Sequence, residues 1–414
     1  MSPQTFSEKI LSYYSGTVSS AGDYVVVPVH KALASDTTAP GAITAFRAMN
    51  GGKVYDPLRL HMVIDHASPA PSSKVANLHQ MMRRFAEEQG CSLHDIGEGI
   101  CHHIMIDKGF VDKDEIVLGA DSHTCSYGAI GAFATGIGAT DLAGIMKTGQ
   151  TWLRVPHSIK IILRGDLPGG STGKDLALLL NRKLHDQSVA TGFGTLEIWD
   201  ETFSGLSLHQ RLPLANMAIE MGAKNAIYLN RDERSRFFPD EGAEYSHVLT
   251  LDLEWLQPKI ALPSSPDRVY DVCQVTGTPI QVAYLGSCTN NRIEDLRNAA
   301  RILKNKKICK GVRFLVAPPT RQVQLEAMEE GVLQTLVAAG ATILPSGCGP
   351  CVGTHLGVPS DGETVISSAN RNFQGRMGNP KSQVFLASAE TVAASAVAGF
   401  IKDPRDLGGE ACKV

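Results

Sequence analysis

The chain reads as an α/β protein of three lobes, and three observations predict it. Short β-branched runs alternate with helical repeats along the whole length, which is the pattern of layered sheets that are at least partly parallel. The 40 glycines gather in loops that follow those runs, as in GADSHTCSYGAIGAFATGIGATD and PSGCGPCVGTHLG, where backbone must approach something closely. The Pro-rich stretch ALPSSPDRVYDV marks a boundary, giving lobes over 1–157, 158–272 and 273–414.

In the first lobe YVVVPV (24–29), LHMVI (60–64) and EIVL (115–118) are rich in Val, Ile and Leu and predict strands, with a helical repeat over 73–89. The middle lobe opens with the strand SIKIIL (158–163) and continues into a helix over 174–184; it holds fewer chemically suggestive residues. The third lobe carries strands at 281–285, 313–316, 341–344, 364–366 and 383–386, with helices over 293–304 and 389–400. No short-period repeat and no low-complexity segment interrupts this order.

With 414 residues, 43% of them hydrophobic, each lobe can bury a core of its own. Lys plus Arg number 39 against 42 Asp plus Glu, a net charge of -3, which argues against a nucleic-acid partner. Small anions remain possible, because a few arginines can build a cationic pocket on a near-neutral surface. No apolar run is long enough to span a bilayer, and MSPQTFSEKILSYYSG lacks the basic and apolar halves of a signal peptide, so a cytoplasmic protein with no membrane partner is expected. The nine cysteines are scattered apart from one Cys-Gly-Pro-Cys pair, which suits thiols or a metal site in a reduced protein better than a disulfide framework.

Cys348 and Cys351 form that pair, and Cys288 follows the strand VAYLG in the same lobe. A lone CxxC is compatible with zinc, redox chemistry or coincidence. A structural zinc site normally closes with four ligands, and no second CxxC occurs. Three thiolates from glycine-rich loops suit a [4Fe-4S] cluster with one open iron, which would act as a Lewis acid. Cys91, Cys101, Cys125, Cys273, Cys309 and Cys412 read as packing residues or surface thiols.

Two further groups carry chemistry. NRNFQGR follows the strand at 364–366, so Arg371 and Arg376 emerge where open α/β sheets bind ligands, and guanidiniums pair bidentately with carboxylates; a solvated turn is the alternative. Asp65-His66, His102-His103 and Asp121-Ser122-His123 lie at strand ends or glycine-rich turns and are groups suited to proton transfer near neutral pH. One such histidine alone is more often structural. Three clusters at equivalent positions argue for function.

Together, VLGADSHTCSYGAIGAFATGIGATD, YLGSCTNNRIEDLR, PSGCGPCVGTHLG and SSANRNFQGR resemble the signature segments of the aconitase superfamily, and the resemblance runs over nearly the whole chain. It implies three related α/β/α lobes around a cluster site and an iron-sulfur hydro-lyase acting on a small hydroxy di- or tricarboxylate. By the same resemblance Cys288, Cys348 and Cys351 are cluster ligands, and Asp65, His66, His102, Asp121 and His123 are the acid-base group. Asn216 and Glu220, four apart and so on one helical face, reach the cluster and substrate from the middle lobe. Ser122, Arg371 and Arg376 bind substrate, and Asn290 and Asn370 support the cluster. Ser35 stands where relatives place His or Gln, His103 where Gln is common, and VATGFGTLEIWDE departs from the family wording; all three bear on substrate identity. The family's catalytic serine comes from a swivelling domain with a GSSRE-like loop. No such segment occurs here, which implies a separate small subunit that completes the site.

Overall fold

A computed structural model describes residues 2–230 and 235–406. The tail GGEACKV, read from sequence as mobile, lies outside the described residues. The first region contains α1 (Phe6–Ser15), β1 (Tyr24–Pro28), β2 (Lys31–Ser35), α2 (Ala39–Ala48), β3 (Leu60–Val63) and α3 (Ser73–Gln89). It continues with β4 (Ser92–His94), α4 (Cys101–Asp107), β5 (Ile116–Gly119), β6 (Phe133–Gly136), α5 (Ala139–Thr148) and β7 (Gln150–Arg154). Strands β4-β3-β2-β5-β6 form an all-parallel sheet. The valine run of β1 stands apart from it, paired antiparallel with β7 as a two-stranded ribbon.

The second region contains β8 (Ser158–Arg164), α6 (Gly173–Asp186), β9 (Thr195–Glu201), α7 (Leu208–Asn216), β10 (Asn225–Asn230) and β11 (His247–Asp252). Its sheet, β10-β9-β8-β11, is again parallel. The third region contains β12 (Lys259–Ala261), β13 (Val269–Asp271), β14 (Val282–Leu285), α8 (Ile293–Leu303), β15 (Arg313–Val316) and α9 (Arg321–Glu329). It ends with α10 (Val332–Ala339), β16 (Thr342–Ile343), β17 (Thr364–Ser367), β18 (Gln383–Ala387) and α11 (Ala389–Ala398). Its order is β13-β12-β18-β17-β14-β15-β16, parallel except where β12 meets β13 and β18. β12 and β13 therefore belong to the third sheet, although they precede residue 272, where sequence composition sets the boundary.

The first and third sheets are covered on both faces, as is usual for parallel sheets. Ala32, Ala34, Met62, Ile116 and Leu118 pack toward α2, α3 and α5, while Leu33, Val63 and Val117 pack toward α4. The third sheet buries Val282, Tyr284 and Val365 against the middle region, and Ala283, Leu285 and Ile366 against α8 to α11. The three regions thus share cores and do not float as separate beads. Among the described residues no helix is long and apolar enough to cross a membrane.

One contact brings the first and third sheets together at their carboxyl ends. Gly99 makes an isolated bridge to Thr320, and the Ile100 amide donates to the Pro319 carbonyl at 2.7 Å. A Cβ at Gly99 would lie 2.4 Å from the Pro319 oxygen and its φ is +133°, so only glycine permits this approach. It sets His102, in the first turn of α4, opposite the cysteine loops.

Candidate active site

The strand ends converge. Asp65 and His66 follow β3, Asp121 follows β5, Cys288 follows β14, Cys348 and Cys351 follow β16, and Asn370 and Arg371 follow β17. Cys288, Cys348 and Cys351, all buried, line one small cavity with His66, His102, Asp121, His123, Asn370 and Arg376. Ligands gathered beyond the carboxyl ends of parallel strands are the common arrangement of α/β sheets.

N–H donors point at the sulfurs. Asn216 Nδ2 lies 3.2 Å and Asn370 Nδ2 3.3 Å from Cys288 Sγ, and Arg376 Nη2 lies 3.7 Å from Cys351 Sγ. Asn216 Oδ1 accepts from Thr289 Oγ1 and from Asn370 Nδ2, so both amides are fixed with their donors toward the sulfur. Burial pushes the Cys288 thiol up to about 12, so as a free side chain it stays protonated. A neutral thiol is a weak acceptor, whereas a metal-bound thiolate accepts well and loses its proton to the metal. Asn370 Oδ1 and Arg376 Nε are buried beside the same cavity without partners. This donor set fits an anionic group ligated by the three sulfurs. Cys348 also groups with Asp65 and His66 as potential ligands within 4.8 Å of one another.

A chain of acids and histidines forms the opposite wall. Asp65 Oδ1 meets His66 Nδ1 at 2.7 Å, and its Oδ2 accepts the Cys101 amide at 2.8 Å. His66 Nε2 lies 3.4 Å from Asp121 Oδ2, and His102 Nε2 lies 2.9 Å from Asp121 Oδ1. The far nitrogen of His102 meets the Tyr127 hydroxyl at 3.1 Å. Burial alone would lower the His66 pKa, but the Asp65 carboxylate, with Cys348 and Asp121, holds it well above the ordinary histidine value. Burial would raise Asp121, yet bonds from His102 and His66 keep it well below the usual carboxylate range. One charged acid therefore sits between two imidazoles, an arrangement able to hold and deliver a proton.

Glu220 links this wall to the arginines. His123 Nε2 lies 2.9 Å and Arg371 Nε 2.6 Å from Glu220 Oε1, while Arg371 Nη2 reaches Ser122 Oγ at 3.1 Å. Burial would raise the Glu220 pKa; His123 and Arg371 bring it below the ordinary value. The expectation of one continuous helical face for Asn216 and Glu220 needs correction, since α7 ends at Asn216. The Asn216 carbonyl accepts the Cys125 thiol at 3.3 Å, where a continuing helix would bring the Glu220 amide, and a turn delivers Glu220 instead. Ser122 also lines a larger cleft of about 740 Å³, walled by Ile137, Leu153 and Ile219, with Trp152 and Phe193 exposed at its rim.

Besides Asp65, Ser122, Asn216, Glu220 and Arg371, which back the cavity without lining it, three expected residues lie off it. Ser35 is buried and its hydroxyl meets Thr37 at 2.8 Å. Asn290 reaches Asp295 at 3.5 Å and contacts no sulfur. His103 packs against the backbone of Ser287 and Cys288, and burial pushes its pKa down to about 3. Cys91, Cys101, Cys125 and Cys273 are free, whereas Cys309, expected as a free thiol, is disulfide-bonded. Cys412 lies outside the described residues.

Sequence reasoning missed Asp36. Its carboxylate accepts the amides of His66 (2.8 Å) and Ala67 (2.9 Å) and meets His79 Nε2 at 3.1 Å, so it fixes the loop that aims Asp65 and His66. An acid directly after a strand was the available signal. Lys174 was also missed; its Nζ donates to the carbonyls of Ser368 (3.1 Å) and Ala369 (2.6 Å), just before Asn370 and Arg371.

Comparison with known proteins shows the family. The family described as "Aconitase family (aconitate hydratase)" matches residues 8–239 and 272–399. The chain is 41% identical to 3-isopropylmalate dehydratase large subunit 1 of Methanopyrus kandleri, over 97% of this chain and 99% of that one. It is 42% identical to 3-isopropylmalate dehydratase large subunit 2 of Archaeoglobus fulgidus (98% and 99% covered). It is also 40% identical to the homoaconitase large subunit of Thermus thermophilus (98% and 99% covered).

Proposed function

Because this chain belongs to the aconitase family, we propose that it is the large subunit of a 3-isopropylmalate dehydratase, a [4Fe-4S] hydro-lyase that interconverts 2- and 3-isopropylmalate. The observation that carries the reading is the single cavity where three buried thiols, two amide donors, the Asp121-centred histidines and Arg376 meet. Cys288, Cys348 and Cys351 would hold the cluster, whose open iron supplies Lewis-acid polarisation of a substrate oxygen.

The protein's own groups do the rest. Arg376, and Arg371 after exchanging part of its contact with Glu220, hold the substrate's carboxylates. Removing the proton α to a carboxylate builds enolate-like charge, which fixed guanidiniums stabilise without reorganising. His102, oriented by Tyr127 and Asp121, delivers a proton to the departing hydroxyl. Dehydration followed by rehydration with the other regiochemistry gives isomerisation. The base that takes the carbon proton is assigned to a serine on the swivelling domain of a small subunit. Ser367 and Ser368, the serines nearest the arginine turn, are committed to backbone: Ser367 Oγ accepts the Ala369 amide, and Ser368 Oγ donates to the Gly286 carbonyl.

The test combines the reconstituted chain with its small subunit. Dehydration of 3-isopropylmalate is expected only with both present, and Cys351→Ser should remove the visible cluster absorbance and the activity together. Full rate from the large chain alone, or a Cys351→Ser protein that keeps absorbance and activity, would overturn the reading. The similarity to the Thermus thermophilus homoaconitase subunit supports a second reading, homoaconitase. Comparing kcat/KM for isopropylmalate, homocitrate and dimethylmalate decides between them.

A further inference from the structure

Lys174 occupies a position that stability alone does not explain. It is fully buried, and it is the second residue of α6, where the helix dipole disfavours a cation. Among the described residues no carboxylate lies within ion-pair distance of its ammonium. The adjacent Asp175 carboxylate is committed to the Thr172 cap (2.8 Å) and the Lys259 amide (2.7 Å). Glu220 meets His123 and Arg371 through Oε1, and its Oε2 is buried without a hydrogen-bond partner. The acceptors of Lys174 are two carbonyls, Ser368 and Ala369, in the turn that carries Asn370 and Arg371. The largest opposite charge acting on it is Glu220 of the site; Cys288 and Cys351 add to it when they are thiolates, ahead of Asp175. Burial, opposed by those charges, lowers its pKa to about 8.

We propose that Lys174 is a positioning residue for the cluster face: anchored on Ser368 and Ala369, its ammonium fixes the turn that aims Asn370 at Cys288 and Arg371 at Glu220, and it offsets the negative charge of Cys288 and Cys351 when these are ligating. The inference rests on the cysteine-ligand reading above. It makes the lysine matter more in the loaded protein than in the empty one. In the empty protein Glu220 is the largest charge that opposes the buried cation, and its burial is costly. In the loaded protein the same cation faces negative charge.

The experiment uses the full chain, metal-free and after anaerobic reconstitution, as wild type, Lys174→Met and Lys174→Arg. The metal-free Met variant is expected to melt at or above the wild-type temperature. Its loaded form should lose cluster absorbance to a chelator at least tenfold faster and show a more negative midpoint potential. Lys174→Arg should keep the wild-type potential. With the small subunit present, a misplaced turn should raise KM in the Arg variant more than it lowers kcat. If Lys174→Met does not fold, Lys174→Gln against Lys174→Arg makes the same comparison of charge lost with charge kept. A neutral variant that folds with unchanged potential and cluster lifetime overturns the inference, as does equal destabilisation of its empty and loaded forms. A wild-type chain that takes up no cluster overturns the ligand reading and this inference with it.

Discussion

At the scale of single residues, the site is held by groups that never face its cavity. Asp36 shows how. Burial would raise its pKa, but the bond from His79, the charge of His66 and the amides of His66 and Ala67 pull it from 3.8 to about 2. A carboxylate depressed in the folded state adds stability above its unfolded value and loses it as the pH falls. A depression from 3.8 to about 2 is worth about 2 kcal/mol at neutral pH, fading between about pH 4 and pH 2. Asp36→Asn is therefore expected to lower stability by about that amount at pH 7 and to flatten acid unfolding over that window, read from urea midpoints against pH. The cysteines, histidines and arginines of the site were legible because their chemistry is rare and their motifs short. Asp36 and Lys174 were not. A lone acid after a strand and a lysine in a helix's first turn usually face water, and only packing shows that these two are buried.

At the scale of elements, small residues decide how closely one unit can approach another. The 3₁₀ helix Ser122–Ile130, which carries Ser122 and His123, packs on β10 of the second sheet through Gly128. A Cβ there would fall 1.6 Å from the Ala226 carbonyl oxygen, a backbone atom that cannot step aside. Gly128→Ala should cost about 3 kcal/mol or more by overpacking, measured as a fall in the denaturant midpoint. Gly144, inside α5 with nothing within 4 Å of its added Cβ, is the contrast: Gly144→Ala should stabilise by about 0.5–1 kcal/mol. The same scale explains what periodicity missed. β2 sits at the centre of the first sheet, between β3 and β5, yet KALAS has no β-branched residue. Ala32 and Ala34 serve on the face closed by α2, α3 and α5, and Leu33 fills the other. Conversely, the valine-rich β1 signals a strand correctly but gives no sign that it pairs with β7, 120-odd residues along, outside the main sheet.

At the scale of the whole molecule, the cavity is a meeting point of three sheets, so loading it should stabilise their arrangement. The acids and histidines of its wall come from the first region and the cysteines and Arg376 from the third, while Asn216 and Glu220 of the middle region back it through Cys288, His123 and Arg371. Reconstitution with iron and sulfide is expected to raise the melting temperature of the chain, and chelation to reverse the gain. A Cys351→Ser chain should show neither change, because binding to the folded state alone is what shifts the equilibrium. Local composition already declares the alternation of strands and helices and the cysteine and arginine motifs, since these depend on residue type and short-range spacing. Which strand neighbours which, where α7 stops, and how Gly99 brings His102 to Cys288 are settled by packing between residues far apart in the chain. Burial and charge compensation are properties of that packing. The roles of Asp36 and Lys174, and the link Glu220 makes between His123 and Arg371, therefore become visible only in the folded molecule.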